Sequence, residues 1–154
     1  MKSFIIQLNT KKYVRIIFII YLVMLLTVSF WGISMFFPRY IYYNEVSQNL
    51  MPFKMITNYL LNFEQYNFRT WFNNTFGLVL LFIPFGLLIP LVFADIKHAA
   101  QMMYLSFLVS LSLEIAQYIT VLGVFDIDDV ILNTFGGMLG FLIITQLIKR
   151  KKYS

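Results

Sequence analysis

The sequence predicts an all-α integral membrane protein: four transmembrane helices, both termini on the cytoplasmic side, and a long outward loop between the first two. Three observations carry this. Of 154 residues, 60% are apolar and only 12% are charged, against about 25% charged in soluble domains. The apolar residues gather into runs near twenty residues long, enough to cross a hydrocarbon core of about 30 Å. The basic residues crowd the ends of those runs, as topology signals do. One membrane domain spanning 1–154 follows, with helices at about 14–37, 74–93, 102–122 and 130–148.

Composition also excludes chemistry. There is no cysteine, so disulfides, thiol nucleophiles and cysteine-ligated metals are ruled out. A single histidine, His98, cannot make a His-based zinc site. The net charge of +5 sits at helix ends rather than on a patch, which argues against a nucleic-acid partner.

The first crossing, Val14–Phe37, follows a basic arm and contains no acid. A cleaved signal peptide has a shorter apolar region and an A-x-A-like site. Here the run is long and reads SFWGIS at Ser29–Ser34, so a retained helix is expected. Residues 38–73 form a connection rich in Asn and aromatic rings, from Tyr40 to Trp71 and Phe72. Within it Met55–Phe63 is expected to form a short helix on the membrane surface. The aromatic residues fit an interfacial belt, and also a ligand-contacting lid, since loops this long are usually functional.

The second crossing, Asn74–Phe93, contains Pro84 and Pro90. Each lacks an N–H and crowds the carbonyl four residues back, which predicts a kink or unwound turn near Pro84–Gly86. After a turn at Asp95–His98 comes the third crossing, Met102–Leu122, which carries Ser106, Ser110, Ser112, Glu114 and Gln117. Gly123–Asp129 turns into the fourth, Val130–Ile148, closed by Lys149, Arg150, Lys151 and Lys152. The arm, the 94–101 turn and the tail hold nine of the twelve basic residues. The positive-inside rule then places the long loop and the acidic turn together on the outer face.

Glu114 stands roughly 12 Å below the outer end of its helix. An acid at helix centre costs on the order of 2.5–3.5 kcal/mol to insert, and such acids face cavities or partners. Gln117 and Tyr118 share its face, and Ser110 extends the stripe. Asp126, Asp128 and Asp129 open the fourth helix, where acids are favoured as caps and by the helix dipole. Capping accounts for Asp126 and Asp128. Asp129 and Asn133, one turn apart, share a face that continues through Gly136 and Gly140, a small-xxx-small seam. This seam is expected to bring the third and fourth helices together. Glu114, Gln117, Asp126, Asp129 and Asn133 then form a polar pocket, with Asn73 and Asn74 at its rim. Such oxygen-rich clusters suit hard cations, but DIDD lacks the EF-hand glycine and distal Glu. No metal is assigned, and no Gly-rich phosphate loop or Ser-His-Asp set marks a cofactor or reaction.

Four motifs carry a resemblance: NLMPFK at 49–54, NTFGLVLLFIPFGLLIP at 74–90, SLEIAQ at 112–117 and DIDDVILNTFGGMLG at 126–140. In this order they resemble the VanZ-like family. The matching positions are Asn49, Pro52 and Phe53; Phe82, Pro84, Phe85 and Gly86; Glu114 and Gln117; and Asp126, Asp129, Asn133, Gly136, Gly137 and Gly140. The resemblance implies a multi-pass protein of a bacterial cytoplasmic membrane. The family's namesake is associated with resistance to teicoplanin, a lipid-tailed glycopeptide directed at cell-wall precursors. Membrane lipid, and a wall precursor or the lipoglycopeptide itself, are the partners it implies. A membrane enzyme acting on lipid headgroups and a non-catalytic helix-packing partner are the alternatives.

Overall fold

The computed structural model describes residues 2–32, 48–120 and 122–153, with side chains over 11–30, 48–120 and 122–150. Five α-helices order the described residues. Helix α1 runs Lys2–Thr27 and widens into a π turn at Val28–Gly32. Helix α2 is short, Lys54–Leu61. Helix α3 spans Phe68–Val92 with a π turn at Asn73–Gly77. Helices α4, Ala99–Ile119, and α5, Ile127–Tyr153, complete the bundle. Four of them, all but α2, are long and apolar enough to cross a membrane. The expected end of the first crossing at Phe37 and the aromatic residues Tyr40, Tyr42 and Tyr43 lie outside the described residues.

Helix ends depart from the sequence expectation for local reasons. The expected start at Asn74 moves back to Phe68 because Asn67 caps the helix, its side chain accepting the Thr70 amide at 2.8 Å. The fourth crossing begins at Ile127 rather than Val130 because the Asp126 carboxylate accepts the Asp128 amide at 2.9 Å. The third ends at Ile119, where the Gln117 carbonyl gathers the amides of Leu122 and Gly123. The short helix expected at Met55–Phe63 is present as α2, Lys54–Leu61.

Of the kink or unwound turn expected near Pro84–Gly86, the unwound turn is absent: helix α3 continues through both prolines. Close packing holds it, since Phe82, Phe85, Gly86 and Ile89 are all buried. The hydroxyl of Tyr21 also donates to the Leu81 carbonyl at 2.9 Å, tying α1 to the turn before Pro84. The departure from regular α geometry falls instead in the π turn at Asn73–Gly77.

The glycine seam packs differently from the expectation. A Cβ at Gly136 or Gly140 would overlap the carbonyls of Val79 and Ile83, and one at Gly86 would overlap that of Gly137. The Gly136–Gly140 stripe therefore receives α3, not the third crossing. Gly137 meets α4, where a Cβ would strike the Ser106 hydroxyl. Two helices thus approach α5 on adjacent glycine faces. Because α3 of the same chain fills the seam, it offers no face to a partner helix. On the far side, Phe18, Tyr21 and Leu25 of α1 join Phe82, Phe85, Ile89, Met102 and Phe141 in the core. Ile16, Ile17, Ile20 and Val23 remain exposed on α1, as lipid-facing residues are.

Candidate functional site

The polar residues converge at one end of the bundle. On α4, Met102, Ser106, Ser110 and Glu114 recur every fourth residue and are all buried, so they form one stripe facing α5. Asn133, buried on α5, donates its side-chain amide to the Ser110 hydroxyl at 2.9 Å. One turn higher, the Glu114 carboxylate accepts the Asp126 backbone amide at 3.1 Å. Gln117 donates to the Ser29 carbonyl at 2.7 Å. Ser29 lies in the π turn that ends α1, and this bond ties α1 to α4.

A small, partly open cavity lies among these groups. Its polar lining is Ser29, Glu114, Gln117, Asp129 and Asn133, and Val28, Leu78, Leu81, Leu113 and Val124 complete it. The space open to the centres of water-sized spheres is about 30 Å³, room for one or two waters. It can admit a small polar group. Four of the sequence-derived site residues, Glu114, Gln117, Asp129 and Asn133, therefore line one space. Among the described residues, no group of three or more His, Cys, Asp or Glu stands in metal-binding geometry.

Asp126 and Asn74 are placed otherwise. Asp126 reaches the cavity wall only through its backbone amide. Its carboxylate caps α5 and accepts the Asn49 side-chain amide at 2.7 Å. Burial pushes the Asp126 carboxyl above its ordinary value, and the nearby Asp128 charge adds to this. Hydrogen bonds from the Asp128 and Asn49 amides pull the other way. Asn74 is not part of the lining. It donates to the Tyr59 hydroxyl at 2.8 Å and so supports α2.

Asp128, expected as a second cap of its own helix, serves another. Only 1% exposed, it accepts the backbone amides of Phe53, Met55 (2.7 Å) and Ile56 (3.1 Å), the first turn of α2. This carboxylate meets the positive end of a helix it does not belong to. Phe53 adopts a left-handed backbone, φ 65°, which costs about 1–2 kcal/mol for a residue with a Cβ. Its bond to Asp128 offsets that cost. Asn49 completes the joint: its amide donates to Phe125, its carbonyl accepts from Ile127, and the pair forms a parallel bridge with Asp126. The NLMPF and DIDD motifs are thus two halves of one junction.

These features define a class: a polytopic helical membrane protein whose acids and amides from two neighbouring helices meet at one end of the bundle. A VanZ/LLP1 family profile matches residues 18–149, and the chain belongs to that family. It is 40% identical over 98 residues to Protein VanZ of Enterococcus faecium, a match covering 64% of this chain and 52% of that one. The alignment thus spans about half of that relative's length. No solved structure matches the chain.

Proposed function

We propose that this protein works at the outer face of a bacterial cytoplasmic membrane. There its Glu114–Gln117–Asp129–Asn133 cavity binds or alters a small polar group of a cell-envelope lipid or wall precursor. The consequence is lower susceptibility to a lipoglycopeptide such as teicoplanin. The observation that carries this reading is the convergence of two carboxylates and two carboxamides, from α4 and α5, on one cavity. Intramembrane acids are costly and face functional cavities. The outward placement rests on the basic residues at the termini and the 94–101 turn.

Replacing Glu114 or Asp129 by Ala, at matched membrane levels, abolishes the change in teicoplanin susceptibility. Unchanged susceptibility in both variants would sink the cavity's role.

A second reading, hydrolysis or transfer on a lipid headgroup, draws on the same cavity, which has room for water beside two carboxylates in different surroundings. It requires altered lipid or precursor masses in cells that express the protein. Identical mass-spectrometric profiles alongside an active phenotype would remove it.

A further inference from the structure

The segment 50–63, which includes helix α2, carries large apolar side chains that the described residues leave exposed. Leu50, Met51, Phe53, Leu60, Leu61 and Phe63 are all more than half exposed, Leu61 to 76%. Six large apolar side chains within fourteen positions make a patch that a water-facing loop does not carry without a reason. The helix is too short to cross a membrane, and hydrogen bonds hold it against helices long and apolar enough to do so.

Its height is fixed by three contacts. Tyr59, buried on the inner side of α2, takes the Asn74 amide at 2.8 Å on its hydroxyl. The Tyr59 carbonyl accepts the Trp71 indole N–H at 3.0 Å. Asp128 holds the N-terminus of α2 at the start of α5. Trp71 and Asn74 belong to the first turns of α3, whose span of 25 residues measures about 37 Å at 1.5 Å per residue. That exceeds the hydrocarbon core of about 30 Å but fits within the roughly 40–45 Å that includes headgroups. The first turns of α3 therefore stand at the boundary between headgroups and acyl chains, and α2 lies beside them. A stacked ladder of rings, Phe68, Phe72 and Phe76, climbs α3 through the same zone, where aromatic residues concentrate.

We infer that residues 50–63 form an interfacial anchor that beds its apolar side in the lipid leaflet at the acidic end of the bundle. Asp128 and Tyr59 lock it to the transmembrane frame. The occupant of the exposed face is lipid: the segment is hydrogen-bonded to the first turns of a helix long and apolar enough to span a membrane, and that helix carries its own exposed ring there at Phe68. The anchor sets the Asn49–Asp126 junction at headgroup level, with the Glu114 cavity just beneath it. Its position does not depend on what the cavity does.

The absence of native cysteine makes the test clean. Single variants Leu60→Cys and Leu61→Cys are spin-labelled in phosphatidylglycerol–phosphatidylcholine vesicles, with Leu80→Cys as the lipid reference and Glu64→Cys as the aqueous one. Collisional relaxation by oxygen and by a water-soluble nickel chelate is then compared. At both α2 positions the oxygen-to-nickel ratio is several-fold above that at Glu64 and close to that at Leu80. A ratio matching Glu64 would place the segment in water and overturn the anchor. Exclusion of both reagents would mean that protein, such as a second copy of the chain, covers the face, and would overturn it equally.

Discussion

Glu114 accepts the backbone amide of Asp126 at 3.1 Å, so a carboxylate buried within one transmembrane helix is fixed to the residue that caps the next. The same Asp126 holds Asn49. Cavity, helix start and loop junction are thereby one hydrogen-bonded unit, and a change at any member is felt by the others.

Glu114 separates structural from functional contributions. Glu114→Gln keeps an oxygen for the Asp126 amide, and thermal unfolding in detergent stays within about 1 kcal/mol of the parent. Glu114→Leu leaves that amide unpaired and lowers stability by about 1–3 kcal/mol. Under the proposed function both lose the effect on susceptibility, although only the second is destabilised.

Asp128→Ala strips the first turn of α2 of its acceptors and leaves Phe53 in a left-handed backbone with nothing to offset it. The junction weakens by about 2–4 kcal/mol, since hydrogen bonds to charged groups are each worth about 1.5–3 kcal/mol. Limited trypsin digestion reads this as faster cleavage at Lys54. Asp128→Asn, with one accepting oxygen, falls between the two.

This junction marks where sequence reasoning reached and where it stopped. The four crossings were legible because apolar runs and basic flanks are local properties. Glu114 and Asn133 were legible because a polar side chain deep in such a run is conspicuous. Asp128 was misread because an acid in the first turn of a helix looks like its own cap; the amides it serves lie more than seventy positions away. The Gly136–Gly140 stripe announced close packing but not which helix would fill it. Asn74 sat at the right end of the right helix, yet it turned to Tyr59 because α2 folds back over it. Pro84 promised a kink or an unwound turn, and the helix runs on through it, packed at Phe82 and Phe85.

The glycine seam gives a graded test. Gly140→Ala drives a Cβ into the Ile83 carbonyl, and overpacking of this kind costs about 1–3 kcal/mol. Gly77→Ala, whose Cβ would sit 3.4 Å from the Phe72 carbonyl, is tolerated. Melting temperatures of the two variants in the same detergent check the contrast.

Asp126 predicts a pH dependence. Its carboxyl is raised above the ordinary 3.8 in the folded protein, chiefly by burial, so the folded state holds a proton that the unfolded state has already lost. Its contribution to stability is therefore fully present below the unfolded value and is lost as pH rises through the folded one. Unfolding midpoints decline across that window as pH increases. Asp126→Asn, which retains the oxygen facing Asn49, flattens the decline.

The opening of the cavity to the outside is the claim on which the functional reading turns. Gln117→Cys places one thiol at its wall in a chain with no native cysteine, and intact cells are treated with a membrane-impermeant maleimide. The account predicts labelling from outside without permeabilisation. Labelling only after the membrane is breached would contradict it.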